Sequence, residues 1–416
     1  MKATKVMKAT IQLYGTVHDI PPLVWQQLDT ADTGLFQGAP FLAAQEGILR
    51  QRGLQFHYAV VSEQGRACAL LIFQQYSLSL NDLLVDANWF RALQRVAIVR
   101  CLSRRPIVTM IVCGDVVSTG VQGLLFAEHV DAEHRAALLE AVAERVRVRV
   151  RKRAGFGLLL LKDLQHDMSH AKVLGGYASL SLPPTMVLPI PQQWNSLNDY
   201  MASLKSKYRT RIKQIRRAAE PLQRRLLSLA DLERYHSEID ALYAAVYQRA
   251  KAKGPYLGVD YFVSLRRQLP LERYQIEGYF LGQRLMAFNT RYKVNGVVES
   301  AFFGVTEQDN REYQLLKCML VDDLEYAIHN NAVLLHLGRT NYWMKSALGA
   351  QAVACFSCYR PLNRWSSILA AMIGPLTEAE PWVACQPFRG EAPDWLAPLP
   401  PVHSFLSLER SKSVLG

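Results

Sequence analysis

One order of elements occurs twice in this 416-residue chain. In the first copy, apolar runs at 56–62 and 68–73 flank the turn Glu63-Gln64-Gly65-Arg66, which reads as a hairpin. A strand follows at 109–113, then a long helix at 132–153, a strand at 156–161, the triplet Leu174-Gly175-Gly176 and an extended, proline-bounded run at 178–190. In the second copy, 274–281 and 285–292 flank Gly282-Gln283, and Asn295-Gly296, a type I′ turn signal, leads into 297–305. A polar loop at 307–312, a helix at 313–330, a strand at 333–337, Leu348-Gly349-Ala350 and a strand at 353–359 complete the order. Hairpin, strand, helix and strand together predict an α/β fold, an α+β mixed sheet, made twice from one chain. The expected divisions are 1–190, 191–365 and a proline-rich extension at 366–416.

Half the residues are hydrophobic and a fifth are charged, which suits a globular core and excludes disorder, collagen, coiled coil and a disulfide scaffold. No apolar stretch is long enough to span a bilayer, and the first ten residues lack the apolar centre of a secretory signal. Seven cysteines without framework spacing suit reduced thiols and a cytoplasmic location. Cys355-x-x-Cys358 has no partner pair, and strand alternation would turn its thiols apart, so buried free thiols are the expectation. His166 and His170 are too weakly placed to predict a metal site, and none is expected. Nucleophile-elbow, Walker, dinucleotide and zincin motifs are all missing.

Charge is concentrated. Lysines and arginines number 48 against 36 acids, a net +12. Residues 204–225 hold nine cations and the single acid Glu220, so nine minus one gives +8 there. Leu204, Tyr208, Ile212 and Ile215 recur at helical spacing, and Pro221 predicts the helix end. This run is either a phosphate-binding surface or a solvated helix face. The second basic run, 145–153, alternates with valines, yet Leu138, Leu139, Val142, Val146 and Val150 favour a helix with cations in its last turns.

Tyr208-Arg209 within SKYRTRIKQIRR resembles the basic helix that opens the second domain of tandem GNAT-type acyltransferases, the Fem-type peptidyltransferases and related BioF2-like domains. Gly338-Arg339-Thr340, Tyr342, Lys345 and Leu348-Gly349-Ala350 resemble the G-x-T-x-Y-x-x-K-x-x-x-G-A ending of that group. The resemblance spans most of 40–362 and implies two tandem GNAT-like domains that transfer an acyl or aminoacyl group to an amine. The chain departs from the usual coenzyme A loop, because Thr306 to Gln314 contains no glycine.

Such transfer needs a base for the amine and a donor for the oxyanion. In this type of fold the two middle strands part, which directs attention to backbone N–H groups at 301–304. Glu299, in the apolar run VVESAFFGV, is the expected base; otherwise it is a strand-face carboxylate paired with Arg291 or Lys293. Tyr313 is the expected proton donor to the leaving thiolate or ribose oxygen. Arg209, Arg339 and Lys345 are expected at the donor's phosphates, and Tyr208 and Tyr342 at the substrate.

Three functions follow. The first is transfer from acyl-CoA, as co-substrate and without a metal, to a small-molecule or peptide amine in a ternary complex. The second is Fem-type transfer from aminoacyl-tRNA to a cell-wall precursor, for which the missing coiled-coil arm is a counter-argument. The third is a non-catalytic binding protein for an anionic partner. The positive charge also allows peripheral contact with an anionic membrane.

Overall fold

A computed structural model describes residues 9–28, 35–83, 103–120, 122–152, 155–164, 174–250, 254–373 and 383–389. The chain divides into two compact units. One comprises Met1–Leu182, Lys251–Pro255 and Cys355–Ala379; the other comprises Pro183–Ala250, Tyr256–Ala354 and Glu380–Gly416. His166 and His170 lie outside the described residues. Among the described residues, no helix is long and apolar enough to cross a membrane, and no cluster of potential ligands could hold a metal ion.

In chain order the first unit supplies β1 (Thr10–Tyr14), β2 (Gln55–Glu63), β3 (Arg66–Leu78), β4 (Val108–Cys113), β5 (Leu124–Phe126), β6 (Phe156–Leu164) and β7 (Ala178–Ser181). The second supplies β8 (Thr185–Pro189), β9 (Gln223–Leu226), β10 (Tyr274–Leu281), β11 (Arg284–Val294), β12 (Val297–Val305), β13 (Leu334–His336) and β14 (Gln351–Val353). β15 (Phe356–Pro361) returns to the first unit. The sheet orders are β1-β2-β3-β4-β6-β15-β7 and β9-β10-β11-β12-β13-β8-β14, with β5 beside β3. The two orders match position by position, and so do their senses: β4 is parallel to β6 and β12 to β13, while the neighbours on either side are antiparallel. The duplication seen in sequence is therefore present in topology. β8, at the end of the first copy, lies in the second sheet, and β15, at the end of the second copy, lies in the first.

That exchange corrects two expectations. Residues 178–190 form two strands in different sheets, because Pro183 and Pro184 remove consecutive N–H donors and end the ladder. Residues 353–359 are likewise split between β14 and β15. Alternation records a strand, not the sheet that receives it. A third correction lies after β12. The expected polar loop is a short helix, Glu307–Tyr313, started by the Thr306 hydroxyl accepting from the Asp309 N–H at 3.1 Å. Tyr313 ends this helix, and left-handed Gln314 (φ 52°) separates it from the long helix Leu315–His329.

Each long helix buries a stripe against its sheet. Val142 and Val146 of helix Ala132–Arg151 join Leu71, Ile111 and Leu159 in one core, so the valine–arginine run is helical. In the second unit, Ile212 and Ile215 of helix Ser206–Ala218 pack with Leu324, Val298 and Leu335. Each such isoleucine contributes about 1.5–3 kcal/mol by leaving water. The same helix is also tied by charge. Arg216 and Arg224 share the buried carboxylate of Asp322, which accepts from Tyr279 Oη at 2.7 Å, and Arg216 reaches Glu325 at 2.6 Å.

Candidate active site

β12 and β13 run side by side for only three registered pairs, Val297↔Leu334, Val298↔Leu335 and Glu299↔His336. β12 continues to Val305 with β11 alone. From Ser300 onward β12 is therefore not paired with β13, and helix His236–Arg249 packs at its far end, where Arg249 donates to Val305 O at 3.0 Å. Register within β12 also slips. Asn289↔Phe303 is followed by Arg291↔Ser300, so three residue steps on β12 oppose two on β11, which is a β-bulge. One N–H in the expected stretch is not open, because Phe302 N donates to Thr290 Oγ1 at 2.9 Å.

The first unit differs at the matching place. β4 pairs with β6 along its whole length, from Val108↔Phe156 to Cys113↔Leu161. The loop after β4 is pinned across the strand ends. Lys162 Nζ donates to Ser118 O at 2.8 Å, Gly120 N donates to Asp163 at 3.1 Å, and Gln45 Nε2 donates to Asp115 at 3.1 Å. Among the described residues, this loop lies across the ends of β4 and β6, whereas β12 runs past the end of its pairing with β13.

Glu299 and His336 stand where β12 and β13 part. Their neighbours Val298 and Leu335 face the core with helix Leu315–His329, so alternation puts Glu299 and His336 together on the other sheet face. Glu299 Oε1 is 3.9 Å from His336 Nδ1, and the two side chains are 12% and 5% exposed. The cations expected to neutralise Glu299 are engaged elsewhere. Arg291 binds Glu277 and Asp323, and Lys293 Nζ donates to Asn330 at 2.9 Å. Burial works against the Arg291 charge, but Asp323 and Glu277 outweigh it and hold the guanidinium above its ordinary pKa. His336 is the residue that sequence reasoning missed. Its signal was a histidine inside the apolar strand VLLHLG.

The loop after β13 carries three left-handed residues, Gly338 (φ 65°), Thr340 (φ 68°) and Asn341 (φ 51°). A β-branched residue there is strained by about 1–3 kcal/mol. Lys345 holds this loop. It is buried, and its Nζ donates to Arg339 O at 2.6 Å and to Gly338 O at 3.2 Å. Burial lowers its pKa to about 7. The lysine expected at a phosphate thus faces two carbonyls. Arg339 lies on the loop itself, its Nε donating to Pro183 O at 2.6 Å. Tyr342 is half-buried, and burial raises its phenol. Gly349 is required twice over, by φ 95° and by the Phe388 ring, which would lie 2.3 Å from an added Cβ.

Tyr208 and Arg209 sit at the start of the basic helix. Tyr208 packs against the core, and its phenol is raised first by burial and then by a hydrogen bond with Cys385. Among the described residues, Lys205, Lys207, Arg209, Arg211, Lys213 and Arg217 form no ion pair, whereas Arg216 does. A small apolar groove of about 20 Å³ lies between this helix, Leu320 and Trp343, with Arg211 stacked over the Trp343 ring at 4.5 Å. The turn after β12 is capped by its own side chains. Thr306 and Asp309 cap it, Asn310 Oδ1 accepts from Leu316 N at 2.9 Å, and Glu307 and Glu312 add negative charge. Tyr313 packs against the helix-side core, and a hydrogen bond with Glu312 raises its phenol. By alternation that is the sheet face opposite Glu299, so the two expected catalytic groups do not share a face of the sheet.

Two like mixed sheets, each with a parallel central pair flanked by antiparallel strands, define a tandem GNAT fold. FemX matches with a TM-score of 0.51 at 9% identity, covering 88% of this chain and 100% of its own. A tandem GNAT protein from the clavulanic acid biosynthesis pathway matches at 11% identity and TM-score 0.47, covering 85% and 99%. L-PGS from Bacillus licheniformis matches at 12% identity and TM-score 0.46, covering 88% and 98%. At 9% identity the likeness to FemX is one of fold. No protein-family model and no curated protein sequence matches the chain.

Proposed function

We propose that this chain is an acyl- or aminoacyltransferase that passes a carbonyl-bound group to an amine in a ternary complex. The observation that carries the reading is the parting of β12 from β13 beside Glu299 and His336. An open strand edge offers main-chain donors to an oxyanion, which is worth several kcal/mol when the donors are preorganised. The amine nitrogen attacks the donor carbonyl, forming a C–N bond. Glu299, oriented by His336, takes the proton released by the attacking nitrogen. As the tetrahedral intermediate collapses, the C–O or C–S bond breaks, and the leaving oxygen or sulfur takes a proton, for which Tyr313 is the proposed source. Arg339, Lys345 and Tyr342 shape the crevice mouth, and Tyr208 and Arg209 belong to the donor surface.

The acidic, capped turn after β12 argues against a coenzyme A pyrophosphate there. The six unpaired cations of the basic helix suit phosphates spread along a backbone. Aminoacyl-tRNA is therefore the donor this surface supports better than acyl-CoA. The test is thermal shift and single-turnover transfer with acetyl-CoA, longer acyl-CoAs and aminoacyl-tRNA. Stabilisation that grows with aminoacyl-tRNA concentration, with transfer to an amine, supports the reading. Response to acyl-CoA alone would restore the first donor, and response to neither, with an anionic protein bound instead, would favour a binding protein.

A further inference from the structure

The two sheets have four edges, β1 and β7 in one and β9 and β14 in the other. Folded proteins protect such edges with short strands, charges or proline. Three of the four follow that rule. β14 has three residues, β7 has four, and β9, QRRL, carries Arg224 and Arg225. β1 does not. Its five residues, TIQLY, are uncharged, strand-prone and free of glycine and proline. Among the described residues β1 pairs with β2 alone, from Thr10↔Ser62 to Tyr14↔Tyr58, so its outer N–H and C=O groups face outward.

An open groove runs along this edge. Ile11 to Tyr14 form one wall, and Arg145, Val148 and Arg149 of helix Ala132–Arg151 form the other. Arg145 and Arg149 are exposed, and among the described residues neither has an ion pair, whereas Arg147 on the same helix is held by Glu144 at 2.7 Å. An unprotected edge beside two unspent cations has the chemistry of strand addition with an acidic partner. The charges also narrow the occupant. The chain's own first eight residues, MKATKVMK, carry three lysines and no acid, so their charge does not complement the two arginines. A second copy paired edge to edge would bring both arginine pairs to one seam.

We propose that β1 is a docking edge for an extended, acidic segment of another protein, which adds a strand to the sheet and sets its carboxylates against Arg145 and Arg149. β1 belongs to the first unit, and the proposal does not depend on the reading given above.

The test uses the full chain and fluorescent eight-residue peptides in anisotropy titrations. A Glu-Val repeat is the probe and a Lys-Val repeat the control. The Glu-Val peptide is expected to bind at least tenfold more tightly than the control and to weaken as salt rises. The double variant Arg145→Glu, Arg149→Glu should lose at least tenfold in affinity. Two forms of the probe, N-methylated on the Glu residues or on the Val residues, separate strand addition from charge attraction: one should lose binding and the other keep it. No binding up to millimolar peptide, equal binding by both N-methylated forms, or no effect of charge reversal would overturn the proposal. So would concentration-dependent dimerisation that the peptide leaves intact. An RNA oligonucleotide that displaces the peptide at lower concentration than the peptide needs to bind would assign the arginines to nucleic acid instead.

Discussion

Lys345 and the Glu299–His336 pair show how much of this site depends on single side chains. A lysine buried with two carbonyls is less protonated in the folded chain than in the unfolded one, whose lysines have an ordinary pKa. Between about pH 7, the folded value, and the ordinary lysine range, the unfolded state binds the extra proton, so stability rises with pH across that window. Below about pH 7 both states are protonated and the burial penalty is present in full. Lys345→Met removes the titration. Urea denaturation from pH 6 to 10 should show wild type gaining stability relative to the variant as pH rises; parallel curves would mean that Lys345 remains charged. For the proposed catalytic pair, Glu299→Gln should lower single-turnover transfer by roughly 10²–10⁴-fold, the scale of a lost general base, with donor affinity nearly intact. His336→Asn should lower it too, and shift the pH profile of whatever activity remains. The sequence exposed Glu299 as a carboxylate in an apolar run but gave no account of His336, because the partner became adjacent only through the parallel register of β12 and β13.

At the scale of elements, the basic helix has two distinct sets of cations. Arg216, with Arg224 of β9, is spent on Asp322, while Lys205, Lys207, Arg209, Arg211, Lys213 and Arg217 have no carboxylate partner among the described residues. Asp322→Asn should therefore destabilise the second unit by about 3–5 kcal/mol, the usual cost of leaving buried charge uncompensated. Denaturant unfolding would show it, and a change below about 1 kcal/mol would mean that water screens the cluster. Arg209→Ala should leave stability alone, weaken binding of an anionic donor and lessen its salt dependence; an unchanged salt slope would remove Arg209 from the surface. Helices and hairpins were legible because their signals are local. Ile212 and Ile215 follow a helical period, and Asn295-Gly296 carries φ of 47° and 72°, as its turn demands. The helix at Glu307–Tyr313 was hidden because four of its seven residues are charged and its apolar stripe is too short to show a period. Its one clear mark was Thr306 three residues before Asp309.

For the whole molecule, duplication explains why two sheets share one strand order, and the reciprocal placement of β8 and β15 explains what sequence could not show. A strand handed to the other sheet obeys the same alternation as one that stays. The two copies differ at the matching place: β12 runs past its pairing with β13, whereas β4 pairs with β6 throughout and Lys162 and Asp163 hold the loop. The proposed transfer belongs to the second copy alone. Lys162→Met should then leave transfer per folded molecule unchanged; a large loss would place chemistry in the first unit as well.

The claim on which these arguments rest is that nitrogen takes a carbonyl group from its donor between β12 and β13. Single-turnover transfer from aminoacyl-tRNA to an amine acceptor, measured in parallel for wild type and Glu299→Gln at matched donor occupancy, addresses it most directly. The account predicts rapid transfer by wild type and a drop of at least a hundredfold in the variant. Equal rates in the two proteins, or no transfer from either despite full occupancy, would contradict it.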